Sequence, residues 1–283
     1  MNQAVSAFGA EANKREFLMT QSDFNRIVRI AHESTGIVLS DHKKEMVYSR
    51  LARRIRRCQL GSFSQYLELI GKDPEETNEF VNALTTNLTS FFRENHHFEH
   101  MLATSLPDLL KRNGGSRRLR VWSCAASTGE EPYSIAMMLR EFGFDRSWDI
   151  KLLATDLDSA VLNTARAGLY NEDRVNGMNP EWRDKYLTRQ GDGHWSVNDD
   201  VRRLVSFKRL NVLEKWPMKG QFDIVFCRNI VIYFDKDTQR VLFDRIANQM
   251  APEAWLYIGH SETLHRVTER YQGHGQTIYR KIK

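Results

Sequence analysis

No apolar run in this 283-residue sequence approaches the roughly 20 residues that cross a bilayer, and the first fifteen residues hold no signal-type hydrophobic core. On that reading neither a membrane span nor a signal segment is expected, and the cytoplasm is the expected compartment. Cysteine is scarce. Cys58, Cys124 and Cys227 stand far apart without a C-x-x-C pair, which argues against a disulfide framework and a thiolate zinc site. The chain also has no Pro-Pro pair and no Gly-x-Gly-x-x-Gly loop of the kind that cradles a pyrophosphate. What it does have is 41% hydrophobic and 27% charged residues, the balance of a globular protein long enough for one large α/β domain and a smaller companion.

Residues 119–133 organise the rest. Leu119, Val121 and Trp122 suit a buried strand, Ser123 to Gly129 a small-residue turn, and Pro132 the first position of a helix. Strand, tight loop and helix open the nucleotide crevice of a doubly wound sheet. A second apolar run, Ile150 to Ala154, ends in Thr155-Asp156-Leu157-Asp158 ahead of another helix. Asp156, at the carboxyl end of the second strand, is placed to accept the hydroxyls of a ribose. With Glu130 it makes the crevice hostile to a pyrophosphate and suited to a cationic nucleoside, which S-adenosylmethionine is.

Ahead of this lies a different pattern. Residues 1–19 lack periodicity and read as a mobile tail; residues 20–84 read as a small all-helical domain, opened by a Thr20/Asp23 capping box. The formal net charge of +5 is unevenly spread: a basic run occupies His42 to Arg57. Within it Arg50, Arg53, Arg54 and Arg57 fall three, four and seven apart, an expected outward stripe for an acidic partner. Residues 85–94 form a linker, polar at Thr85 and aromatic at Phe91-Phe92. A helix from Asn95 to about Arg112 follows, with His96 and His100 one turn apart. No third ligand of defined role accompanies them, so no metal is expected. Residues 169–203 interrupt the α/β rhythm as an inserted β-subdomain, with a hairpin turning at Gly191-Asp192-Gly193. The sheet resumes with strands at 205–212, 222–227 and 255–258, and closes with an antiparallel strand at 277–282. The expected fold is therefore a mostly parallel, doubly wound Rossmann-like sheet over residues 95–283, plus the helical domain and the insert.

Three strings carry a likeness: Asn-Ala-Leu-Thr-Thr-Asn-Leu-Thr-Ser-Phe-Phe-Arg-Glu at 82–94, Ala-Ala-Ser-Thr-Gly-Glu-Glu-Pro-Tyr-Ser at 125–134, and Phe-Cys-Arg-Asn-Ile-Val-Ile-Tyr-Phe-Asp at 226–235. With Gly-His-Ser-Glu at 259–262 they resemble the bacterial chemotaxis receptor methyltransferases over nearly the whole chain from residue 20. The resemblance implies a protein-glutamate O-methyltransferase that moves a methyl from S-adenosylmethionine to chemoreceptor glutamates, leaving S-adenosylhomocysteine. It implies a cofactor site of Asn87, Thr89, Arg93, Glu130, Asp156, Asn211, Val212, Arg228 and Asn229. Arg93 and Tyr233 are the expected catalytic pair, and Arg50, Arg53, Arg54 and Arg57 the expected substrate-docking stripe.

Two other readings compete. A nucleic-acid methyltransferase shares fold and cofactor, but the amino-methylating DNA enzymes carry an Asp/Asn-Pro-Pro-Tyr/Phe motif where this chain has Cys227-Arg228-Asn229-Ile230. A non-catalytic scaffold is expected to lose the crevice carboxylate, and Asp156 is intact. The partner is thus expected to be the cytoplasmic helical region of a chemoreceptor, with no nucleic acid. Some members of the family hold a receptor C-terminal pentapeptide on a longer hairpin loop than the Gly191–Gly193 turn here, so tether-independent binding by a monomer is expected.

Overall fold

The structure, a computed structural model, describes residues 15–283. Most of the expected tail lies outside the described residues, but its end is not loose. Phe17 and Met19 are buried, the Phe17 N–H donates to the Tyr48 hydroxyl at 3.3 Å, and Arg56 pairs with Glu16 at 2.9 Å. The boundary expected at 19 is too late, because two large apolar side chains in a polar stretch gain enough by burial to order it.

The described chain divides into two compact units: residues up to Ile30 with Leu39–Leu84, and Ala31–Val38 with Thr85–Lys283. The first contains helices Lys44–Arg57, Phe63–Ile70 and Pro74–Leu84 and most of Gln21–Thr35. Their starts are written in side chains. Thr20 and Asp23 bond reciprocally, N–H to side chain, at 3.0 and 3.1 Å, Ser62 accepts from the Gln65 N–H, and Asp73 accepts from Glu75 N–H at 2.8 Å ahead of Pro74.

In the second unit the strands are β1 (Arg118–Ser123), β2 (Asp149–Asp156), β3 (Leu169–Asn171), β4 (Leu187–Arg189), β5 (His194–Val197), β6 (Val205–Arg209), β7 (Phe222–Cys227), β8 (Met250–Ile258), β9 (Tyr271–Gly273) and β10 (Ile278–Lys281). Seven form one sheet in the order β6-β2-β1-β7-β8-β10-β9; β3, β5 and β4 form a separate antiparallel sheet. The first five of the seven run parallel, and β10 is antiparallel to both neighbours. Strand order reverses between β1 and β7, the switch point at which a doubly wound sheet takes its ligand. Ser123 stands opposite Ala154 of β2 and Phe226 of β7, so the loops leaving β1, β2 and β7 open on one edge.

Several elements differ in extent from the sequence reading. The helix after β1 runs Glu130–Phe142, starting two residues before Pro132. Proline fits there because N–H groups of the first turn have no intrahelical partner. The stretch from His96 to Arg112 is helical but passes through a π turn at Met101–Ser105, which ends two residues before Pro107. A widened turn relieves the clash of a proline ring with the preceding turn. The third parallel strand stops at Arg209 rather than 212, and β9 joins the sheet as a seventh strand.

Candidate functional site

Asp156 ends β2, half-buried. Its carboxylate accepts the Ser127 N–H at 2.8 Å and the Asp158 N–H at 2.9 Å. Burial outweighs these two donors and pushes its pKa up to about 6. Ser127 holds a left-handed backbone, φ 48°, which aims its N–H across the loop. Its hydroxyl donates to the Asn87 carbonyl at 2.9 Å, bringing the linker to the same edge.

Asp158, which sequence reasoning passed over, organises that junction. One carboxylate oxygen caps helix Ser159–Ala167 through the Ala160 and Val161 N–H groups. The other accepts Asn87 Nδ2 at 2.7 Å and Thr85 Oγ1 at 2.9 Å. An N-cap aspartate is legible in sequence; its second set of partners, some 70 residues away in the chain, is not. Thr89 is half-buried two residues beyond Asn87. Arg93 donates from Nη1 to the Leu88 carbonyl at 2.8 Å, with its side chain 29% exposed.

The adjacent glutamates after β1 point apart. Glu130, expected in the crevice, pairs with Arg174 and accepts the Thr128 hydroxyl at 2.6 Å. It serves the junction with the small sheet, where the Tyr170 hydroxyl donates to the Thr128 carbonyl at 2.7 Å. Glu131 faces the ends of β1 and β7. It accepts Ser123 Oγ at 2.8 Å at the end of β1 and Arg228 Nη1 at 3.0 Å at the end of β7. Consecutive helical residues differ by roughly 100°, so one residue decides which way a carboxylate faces.

Arg228 is buried and bridges two carboxylates, Glu131 and Glu94 Oε2 at 3.2 Å. It also donates to the Arg93 carbonyl. It binds the linker to the end of β7. Asn229 has φ 57°; its N–H donates to Glu262 Oε2 at 3.0 Å and its Nδ2 to Glu94 Oε1 at 3.3 Å. Buried Glu262 also accepts the N–H of Val231 at 3.0 Å and of Gly259 at 2.6 Å, clamping the loop after β7. Tyr233 lies in the following 3-10 turn, half-buried, and its carbonyl accepts the Val38 N–H at 2.9 Å.

Asn211 and Val212 lie past the end of β6, one and two residues beyond Leu210, whose N–H donates to the Asp156 carbonyl at 2.9 Å. Asn211 Nδ2 donates to the Ser34 carbonyl at 3.0 Å, and its Oδ1 accepts the Leu213 N–H. Bonds join Asn87 to Asp156 through Ser127 and Asp158, and a second set joins Arg93, Arg228 and Asn229 through Glu94; the Glu130 carboxylate bonds to Thr128 and Arg174 instead.

The expected arginine stripe is divided. At roughly 100° per residue, Arg54 lies nearest the buried Val47–Leu51–Ile55 face, Arg50 next, then Arg57, with Arg53 farthest. Arg54 accordingly pairs with Glu76 at 2.6 Å and Glu79 at 2.7 Å, and Arg50 donates to the Ala83 and Leu84 carbonyls at 3.3 and 3.1 Å. Arg53 and Arg57 remain exposed. Two of the four arginines belong to packing, a correction to the single outward stripe.

His96 and His100 do not pair. His100 Nδ1 meets the Tyr257 hydroxyl at 3.0 Å, and His96 Nε2 meets the Gln276 carbonyl at 3.1 Å. Glu94, His96 and His97 each bring a ligand atom within 4.8 Å of the others. The Glu94 carboxylate in that group is already engaged by Arg228.

This edge carries more carboxylates than guanidinium groups and no glycine-rich anion cradle, which fits a cationic nucleoside. A doubly wound sheet with such an edge suits a nucleoside-binding enzyme. Residues 87–280 match the CheR methyltransferase, SAM binding domain, and residues 22–85 the CheR methyltransferase, all-alpha domain; the chain belongs to the CheR methyltransferase family. It is 42% identical to chemotaxis protein methyltransferase 2 of Pseudomonas aeruginosa, over 94% of this chain and 95% of that one. It is 40% identical to the chemotaxis protein methyltransferase of Escherichia coli, over 92% and 91%. Among the described residues no helix is long and apolar enough to cross a membrane.

Proposed function

We propose that the protein transfers a methyl group from S-adenosylmethionine to glutamate side chains on the cytoplasmic helices of chemoreceptors, forming methyl esters in chemotactic adaptation. The observation that carries this reading is the Asp156 carboxylate at the end of β2, fixed by the Ser127 and Asp158 N–H groups beside a linker that bears Arg93.

S-adenosylmethionine supplies a methyl carbon activated by a sulfonium sulfur. Asp156 would hold the ribose hydroxyls, with Asn87, Thr89, Arg93, Glu130, Asn211, Val212 and Asn229 completing the cradle. Arg228 contributes by holding Glu94 and Glu131. The attacking glutamate is already ionised at neutral pH, so no side chain has to remove a proton. What the protein would provide is position: one carboxylate oxygen in line behind the methyl. Arg93 orients that carboxylate as a charge-assisted donor, and Tyr233 borders the methyl. Attack by an anion on a cation disperses charge, so desolvation favours the transition state.

The test is whether labelled methyl from S-adenosylmethionine appears as base-labile ester on receptor-bearing membranes. Label that survives mild base, or that enters nucleic acid, overturns the reading. Recognition is assigned to the receptor helix itself without a C-terminal peptide tether, by a monomeric enzyme. The compact Gly191-Asp192-Gly193 turn between β4 and β5 supports the tether-independent part.

A further inference from the structure

We propose that Glu94 is a positioning residue that holds Arg93 in place by fastening the linker to the ends of β7 and β8. This rests on the role given to Arg93 above and adds a residue to it.

Glu94 follows Arg93 directly, and its side chain is 10% exposed. Phe92 and Glu94 both have left-handed backbone, φ 52° and 57°, a region that non-glycine residues avoid unless their surroundings enforce it. Arg93 is thus presented between two strained residues, and the Glu94 carboxylate supplies what holds the second. Oε1 accepts His260 Nδ1 at 3.0 Å and Asn229 Nδ2 at 3.3 Å. Oε2 accepts the His260 N–H at 3.1 Å and pairs with Arg228 at 3.2 Å. Burial opposes ionisation, yet the Arg228 charge and the His260 and Asn229 donors hold the Glu94 pKa at about 2, so the anchor is charged throughout the working range. These partners come from the two loops facing the linker, so one carboxylate sets the spacing between Arg93 and the Asn229–Tyr233 segment. Arg93 Nε lies 4.0 Å from Glu94 Oε1. Arg228 and His260 keep that carboxylate occupied, which leaves the Arg93 guanidinium for an incoming anion.

The test uses the full-length protein with Glu94→Gln and Glu94→Asp. Arg228 keeps Glu131 as a partner in both, so folding is expected to survive. We expect the turnover number for receptor methylation to fall about tenfold or more while the Michaelis constant stays level or drops. Loss of an anion beside Arg93 by itself tightens carboxylate binding, so a fall in turnover without a rise in that constant separates position from charge. S-adenosylhomocysteine affinity should change less than about threefold. Position is also read without catalysis: the Arg93 Nε–H resonance in nitrogen-15 spectra should be sharp in the parent protein and broadened in both variants. A sharp, unshifted resonance in the variants overturns the proposal. So does parallel loss of turnover, product affinity and thermal midpoint, or Glu94→Asp behaving as the parent, which would leave charge alone at work. If the parent protein does not methylate receptor while the resonance responds as expected, the assigned reaction fails and the anchoring role of Glu94 stands.

Discussion

Arg228 Nη1 lies 3.0 Å from Glu131 Oε2, joining the end of β7 to the helix that follows β1 across the point where strand order reverses. The same guanidinium reaches Glu94, so one buried cation serves two carboxylates. Removing it leaves both without a counter-charge in a dry place. Arg228→Met should therefore destabilise the protein by about 3–5 kcal/mol, measured by urea denaturation at pH 7. A loss under about 1 kcal/mol would show that water already reaches the trio.

Asp156 sets a pH dependence whose sign is fixed by its raised pKa of about 6. The ribose needs the charged acceptor, so S-adenosylhomocysteine affinity in the parent protein should weaken as pH falls through about 6. In the ligand-free protein the same group acts oppositely: its stabilising contribution is full below the unfolded carboxylate range and is lost as pH rises through about 6. Asp156→Asn should weaken product binding by roughly 1–3 kcal/mol at pH 7.5 and flatten the titration. Calorimetry at several pH values reads both effects, and an unchanged affinity removes Asp156 from the site.

Arg93 and Tyr233 are assigned to the reacting groups, Arg93 in addition to its place in the cofactor cradle. Arg93→Ala and Tyr233→Phe should then depress turnover more than they weaken S-adenosylhomocysteine binding. Equal losses in steady-state rate and calorimetric affinity would make them cofactor ligands only.

Gly259 marks a close approach that no other residue accommodates. A Cβ there would stand 2.9 Å from the Asn229 backbone nitrogen and 2.3 Å from its Nδ2. Gly259→Ala must move the loop after β7, at a cost of about 1–3 kcal/mol, and should lower turnover with it. A variant with the parent's thermal midpoint and rate would show that the Asn229 loop yields freely.

What the sequence made legible was local or periodic. Strand–loop–helix units around Ser123 and Asp156, the Thr20/Asp23 cap and the Gly191–Gly193 hairpin each rest on neighbouring residues, and the first loop meets Asp156 through the Ser127 N–H. What stayed hidden depends on facing and on distance along the chain. Glu130 and Glu131 are chemically identical neighbours, and only the helix phase beginning at Gly129, φ 102°, turns the second toward Ser123. Glu94, Asp158 and Glu262 lie within or beside quoted motifs, but their partners come from segments far off in sequence, which one chain without pairing information does not disclose. The arginine stripe failed by angle: a 3-4-7 spacing puts four residues on one side of a helix without saying which two border its buried face.

That division sharpens how the substrate is found. Receptor methylation helices are expected to be rich in glutamate, and an acidic helix is drawn to exposed cations; opposite potentials speed encounter and set register, and salt screens them. Arg50 and Arg54 are committed to the helix Pro74–Leu84, so replacing either tests packing as much as docking. Arg53 and Arg57 are exposed and one turn apart, which makes them the informative pair. Arg53→Glu with Arg57→Glu should raise the Michaelis constant for receptor about tenfold or more, leave S-adenosylhomocysteine affinity and the thermal midpoint unchanged, and flatten the salt dependence of methylation. Arg54→Glu should instead lower stability, since it places a third carboxylate beside Glu76 and Glu79. If methylation by the parent protein is insensitive to salt, docking is not electrostatic. Tight binding to an isolated receptor C-terminal pentapeptide would move recognition from the helical unit to the small β-sheet.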